Sequence, residues 1–123
     1  MTNKKILIID DEAQDRKSVE LILTREGFDQ LAFAVNGQEG IEQVRSFRPD
    51  IAIIDVVLPD MDGFDVCFTI KKEMRGIVKV LMITGHLDAV NVKKARISGA
   101  DEILEKRANY PGLIQMITTL SKS

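Results

Sequence analysis

The apolar residues along this chain fall into two alternating rhythms. Blocks such as Ile6 to Ile9 and Ile51 to Ile54 are continuous and rich in β-branched side chains. Strands buried on both faces of a parallel sheet read this way. The pattern predicts strands over Lys4–Ile9, Phe28–Val35, Ile51–Asp55, Val78–Thr84 and Glu102–Glu105, with the second weaker and at an edge. Between them the apolar positions recur at helical spacing. Val19, Ile22 and Leu23 mark a helix over Ala13–Glu26, stopped by Gly27. Ile41, Val44 and Phe47 form the inward face of a second, entered through Asn36 and Gly37 and broken at Pro49. A third is expected over Phe64–Met74 and a fourth over Leu87–Ile97, where Asn91, Lys93 and Lys94 leave a thin apolar face. Pro111 suits the first turn of a closing helix through Leu120.

Five strands alternating with five helices mean βαβ units, a parallel sheet and right-handed crossovers. The expectation is an α/β fold, one doubly wound (βα)5 domain over residues 1–123, since that length carries one core and leaves no room for a second folded unit. A charged fraction of 29% and a net charge of −2 describe an ordinary soluble protein and call for neither nucleic acid nor a membrane surface. No apolar run approaches a membrane span. The single cysteine, Cys67, excludes an internal disulfide and fits a reducing cytoplasm. It lies on the apolar stripe of the third helix, as a buried small hydrophobe would.

Candidate chemistry gathers at the strand ends. Asp10 and Asp11 close the first strand, Asp55 the third, Thr84 the fourth and Lys106 the fifth. These are all carboxyl ends, where open α/β sheets place their sites. Clustered carboxylates repel by about 4 kcal/mol per pair at 4 Å and an effective dielectric near 20, so the cluster suits a cation. An all-oxygen donor set selects a hard ion such as Mg²⁺. Lys106 and Thr84 supply a point charge and a hydroxyl for phosphoryl oxygens, and a carboxylate can itself accept a phosphoryl group.

The segments Ile-Ile-Asp-Asp-Glu (8–12), Asp-Val-Val-Leu-Pro-Asp-Met-Asp-Gly (55–63), Ile-Thr-Gly (83–85) and Ser-Gly-Ala-Asp-Glu-Ile-Leu-Glu-Lys (98–106) together resemble the receiver domain of two-component response regulators. The resemblance spans the whole chain and implies a flavodoxin-like sheet of order 2-1-3-4-5. It also implies that Asp55 is the phosphoacceptor, charged by a histidine kinase or a histidine phosphotransfer protein. Asp11, Asp55 and the main-chain carbonyl of Val57 would ligate Mg²⁺, with Asp10 acting largely through water, and Thr84 and Lys106 would hold the phosphoryl oxygens. The chain would then be a cytoplasmic signalling switch and not a turnover enzyme. It would act on a downstream protein, or on an output domain removed from a longer chain.

Departures from that family pattern bear on the switch. Arg107 follows Lys106 where the family commonly has proline, so a trans bond is expected, because a cis bond without proline costs about 3 kcal/mol. Ile103 replaces the usual Tyr or Phe, and its stiff χ1 predicts a smaller structural change on phosphorylation. Asp15 and Ser18 stand at kinase-docking positions that are often apolar. Val57 and His86 flank the approach to Asp55, at positions that tune phosphoryl lifetime in the family. Shielding by Val57 predicts slow self-dephosphorylation, and His86 is either a modulator or a solvated loop residue. Phe64 and Phe68, spaced i, i+4, read first as a local surface pair and second as a partner patch.

Other classes fit less well. A flavodoxin needs a Ser/Thr-rich phosphate loop, where this chain has Asp10-Asp11-Glu12. A haloacid-dehalogenase-like phosphatase wants Asp-x-Asp-x-Thr after its first strand. A pseudo-receiver, binding partners without phosphorylation, would lack the acidic pair, the acceptor Asp or the Lys, and all are present.

Overall fold

A computed structural model describes residues 2–122 of the protein. Five strands and five helices alternate in the order β1 (Thr2–Ile9), α1 (Ala13–Arg25), β2 (Phe28–Ala34), α2 (Gly37–Phe47), β3 (Ile51–Asp55), α3 (Gly63–Glu73), β4 (Lys79–Thr84), α4 (Ala89–Ser98), β5 (Glu102–Glu105) and α5 (Leu113–Ser121). The strands form one sheet ordered β2-β1-β3-β4-β5, and every pairing is parallel. This is the order the resemblance implies, with β2 at an edge.

Strand alternation sorts the core into two faces. Ile6, Ile8, Ile51, Ile53, Leu81 and Ile83 pack against Val19 and Leu23 of α1 and Leu113 and Ile117 of α5. Their neighbours Leu7, Ile9, Ala52, Ile54, Val80 and Met82 pack against α2, α3 and the Ala95 side of α4. Carrying the alternation past the strand ends assigns each terminal side chain a face. Asp10, Asp55 and Lys106 fall on the α1/α5 face, and Thr84 falls on the α4 face. Cys67 lies within the second cluster, fully buried, and burial pushes its thiol pKa up.

Several boundaries and contacts differ from the sequence reading. α4 begins at Ala89 and not at Leu87, because the Asp88 carboxylate caps it by accepting the Asn91 N–H at 2.8 Å. Pro111 lies outside α5. The chain turns through Asn109 and Tyr110, both at positive φ, then Gly112 at φ 89°, and the helix starts at Leu113. Phe64 is no surface residue: it is buried with α3's inward stripe, and only Phe68 is exposed, at 55%. Phe64 faces the sheet in the first turn of α3, within the cluster that holds Val66, Cys67 and Ile70, so it is not half of a surface pair. Phe47 packs only partly against the core, with the Lys5 ammonium 5.4 Å from its ring centroid.

The loop from β3 to α3 is pinned at several points. Gly63 N–H donates to the Val56 carbonyl at 2.8 Å, and the Asp62 carboxylate caps α3 through the Phe64 N–H at 2.7 Å. Asp60 accepts the Gly37 and Gln38 N–H groups at 2.7 and 2.9 Å, tying the loop to the start of α2. A Cβ on Gly63 would run into the Asp55 carbonyl and the Val56 backbone. Gly63→Ala should therefore lower stability by about 2–3 kcal/mol, whereas Gly85→Ala, whose added Cβ meets nothing within 4 Å, should stay within about 0.5 kcal/mol. Urea midpoints at unchanged slope check both.

Tyr110 closes the α1/α5 face. Its ring is buried, and its hydroxyl finds no hydrogen-bond partner among the described residues. Burial, helped by the Asp15 charge, pushes its pKa from 10.0 to about 12. The unfolded chain gives up this proton first, so stability is full below pH 10 and falls as pH rises towards 12. As the only tyrosine in a chain without tryptophan, its ultraviolet titration should be late. Tyr110→Phe should add about 1 kcal/mol at neutral pH by removing an unsatisfied hydroxyl and flatten the alkaline decline.

Candidate functional site

The sheet register brings the chemically active strand ends level. Ile9 pairs with Ile54, Asp55 with Ile83, and Thr84 with Glu105. Backbone bonds then fix the residues just beyond: Asp10 N–H donates to Ala34 O, Val56 N–H to Ile83 O and Lys106 N–H to Thr84 O at 2.7 Å. Asp10, Asp55 and Thr84 are buried, while Asp11 stands exposed at the rim.

The parity rule holds for the side chains. Lys106 Nζ donates to Asp15 Oδ2 at 2.8 Å, Asp55 Oδ2 at 2.9 Å and Asp10 Oδ2 at 3.2 Å. The other oxygen of Asp55 accepts the Val57 N–H, and the other oxygen of Asp10 accepts the Glu12 N–H. Arg16 of α1 clamps the Asp10 carbonyl at 2.8 Å. Burial raises the Asp10 carboxyl to about 6, opposed by the Glu12 N–H, reinforced by the Asp55 charge and opposed again by Lys106. Burial alone would lower the Lys106 ammonium, but the hydrogen bonds to Asp15 and Asp55 and the charges of Asp55 and Asp10 hold it above the usual lysine range. Asp10, Asp11 and Asp55 can each offer one oxygen, all within 4.8 Å of one another. Such a set could hold a small hard cation. The peptide bond from Lys106 to Arg107 is trans, as expected from the absence of proline, and the ammonium still reaches all three carboxylates.

Thr84 stands apart from that group. Its hydroxyl donates to the His86 carbonyl at 3.1 Å and accepts the His86 N–H and an Asn91 amide hydrogen. Asn91 Nδ2 also donates to the His86 carbonyl at 2.7 Å, so α4's first turn grips the Thr84 loop. The His86 ring is exposed and pairs with Asp88, Nε2 lying 3.4 Å from Oδ2. The Val57 side chain is 74% exposed beside Asp55. Ile103 is half-buried against the α4-side core, and Ser18 is half-buried on α1.

Three residues were underread from sequence. Asp15 reads as a docking position but engages Lys106. Its place in the first turn of α1, directly after the acidic strand end, is the signal that aims it back into the site. Asn91 reads as a polar interruption of α4 but holds the Thr84 loop, and its place three residues after a capping Asp was the hint. Arg16 carried no signal, because its partner is a backbone carbonyl.

The sequence model of the response regulator receiver domain matches residues 6–118. The transcriptional regulatory protein AfsQ1 of Streptomyces coelicolor is 36% identical over 101 residues, covering 82% of this chain and 44% of that protein. The DNA-binding response regulator MtrA of Mycobacterium tuberculosis is 35% identical over 103 residues, 84% of this chain and 44% of its own. The chain thus spans less than half the length of these curated relatives. A crystal structure of a CheY-like receiver domain protein from Methanospirillum hungatei superposes with a TM-score of 0.88 at 30% identity, covering 98% of this chain and 96% of that one. Sequence and architecture agree across nearly the whole chain, and it belongs to the response regulator receiver domains, the signalling modules of two-component systems.

Proposed function

We propose that this receiver domain switches its partner binding when Asp55 accepts a phosphoryl group from a histidine kinase or a histidine phosphotransfer protein. The observation that carries this reading is the Asp55 carboxylate, buried at a strand end and held by the Lys106 ammonium at 2.9 Å within a cluster of further carboxylates. One carboxylate oxygen forms the new P–O bond while the P–N bond to the donor imidazole breaks, the nitrogen keeping the electron pair. Such a transfer asks the protein mainly for positioning and charge neutralisation. Asp11, Asp55 and the Val57 carbonyl, with Asp10 beside them, are the residues that would hold Mg²⁺. Their hard, clustered oxygens fit that ion, which when bound supplies positive charge against the carboxylates and the phosphoryl oxygens.

Lys106 and Thr84 are the remaining donors for the phosphoryl group. Lys106 already sits on Asp55. Thr84 can donate to a phosphoryl oxygen only by leaving the His86 carbonyl, and Asn91 transmits that release to α4. Ile103, on the same side of the sheet, offers the switch no swinging ring. The output passes to a protein partner or to a further domain, as the DNA-binding function named for MtrA suggests. A phosphorylation-independent module is not favoured, because the acidic pair, Asp55 and Lys106 are all present and gathered.

Incubation with acetyl phosphate and Mg²⁺ should add a single phosphoryl group by mass, absent in Asp55→Asn and when EDTA replaces the metal. A wild-type mass that never changes refutes the reading. The exposed Val57 side chain offers no hydrogen bond to orient an attacking water, and its methyls would crowd the approach to Asp55. Self-dephosphorylation should therefore be slow, and Val57→Asn should speed it severalfold once the donor is removed. Equal or slower decay in the variant would clear Val57 of that role, leaving His86 as the remaining candidate.

A further inference from the structure

Lys106 is held by one more carboxylate than phosphoryl transfer calls for. An ammonium has three donors and no acceptor. In this structure all three have carboxylate partners: Asp55 at 2.9 Å, Asp10 at 3.2 Å and, shortest, Asp15 at 2.8 Å. Asp10 and Asp55 belong to the acidic cluster at the strand ends, whereas Asp15 lies outside it. Asp15 reaches Lys106 from the first turn of α1, across 91 residues of sequence, with its side chain 26% exposed. The Lys106 side chain is 21% exposed, so this pair is only partly screened by water.

We infer that Asp15 is a positioning residue that competes with the phosphoryl group for Lys106. The inference rests on Asp55 being the phosphoacceptor. A phosphoryl oxygen on Asp55 can receive a Lys106 N–H only if one resting bond gives way, because none of the three donors is spare. Whichever bond yields, the net gain from the new one is its strength less that of the bond lost. A charged, short, partly buried contact to Asp15 makes that difference small. Asp15 thereby weakens the hold on the phosphoryl group and biases the domain towards its resting state. The charge of Asp15 also tethers the β5–α5 junction to α1, so release of Lys106 loosens a contact between two elements that otherwise meet through apolar packing.

The test is the affinity for beryllofluoride with Mg²⁺ present, read by calorimetry on wild type, Asp15→Asn, Asp15→Glu, Lys106→Ala and the Asp15→Asn/Lys106→Ala double variant. Asp15→Asn should bind roughly five- to tenfold tighter, the scale of one partly exposed charge-assisted hydrogen bond. Asp15→Glu, which keeps the carboxylate, should return most of the way to wild type. In the Lys106→Ala background the same Asn change should alter affinity by less than about twofold, since the competed donor is gone. A structural role for Asp15 would not produce that dependence. Equal or weaker binding by Asp15→Asn overturns the inference. So does an undiminished gain without Lys106, which would mean plain repulsion between Asp15 and the anion. Should Asp15→Asn not fold, Asp15→Ser takes its place under the same criteria. If wild type binds no beryllofluoride, the proposed function falls and this inference with it, whereas tight wild-type binding unaffected by Asp15 overturns the inference alone.

Discussion

A single ammonium held by three carboxylates, with a fourth close by, governs this protein. Asp10, Asp11, Asp15 and Asp55 gather where β1, β3 and β5 end, and among the described residues Lys106 is the cation paired with three of them, Asp10, Asp15 and Asp55. The imbalance is tolerated because each buried carboxylate has its second oxygen on a backbone N–H, Glu12 for Asp10 and Val57 for Asp55. It is also what makes the cluster useful. A group that adds positive charge, or that redistributes it, meets a site already short of it. Burial, with the Asp55 charge beside it, pushes the Asp10 carboxyl up to about 6.

The pleat of the sheet divides the site between two faces. Asp10, Asp55 and Lys106 continue the alternation that buries Ile8, Ile53 and Leu104 against α1 and α5. Thr84 continues the opposite set, with Val80 and Met82, and so meets Asn91 of α4. Charge and hydroxyl therefore answer to different helices while standing at adjacent strand ends. A phosphoryl group reaching both would link α1 and α5 to α4 through the sheet, a link the resting contacts do not make.

Rigidity in the loop after Asp55 comes from a few short bonds and one steric limit. Gly63 closes on the Asp55 and Val56 backbone, Asp62 starts α3, and Asp60 ties the loop to α2. The loop that follows Asp55 is thus anchored to α2 and α3. The Thr84 loop and Lys106 are held instead through side-chain bonds, to Asn91 and to three carboxylates.

The sequence by itself determined the fold and the membership of the site. Continuous β-branched runs separated by helical stripes admit little besides a parallel α/β sheet, and the strand-terminal positions of Asp10, Asp55, Thr84 and Lys106 were legible because a strand's end is a local feature. What it left open were the relations that local pattern does not encode. Phe64 looked like half of a surface pair with Phe68, yet packing of α3 on the sheet buried the first and left the second exposed. Pro111 fitted a helix start, but the turn through Tyr110 and Gly112 delayed α5 by two residues. Asp15 and Asn91 carried only a positional hint, the first turn of a helix after an acidic strand end or a capping Asp, and Arg16 carried none, since surface-helix polar residues are usually solvated. Their partners are Lys106, the Asp10 carbonyl and the Thr84 loop. Lys106 is far from Asp15 in sequence, and all three pairings exist only because packing turns the first turns of α1 and α4 towards the strand ends.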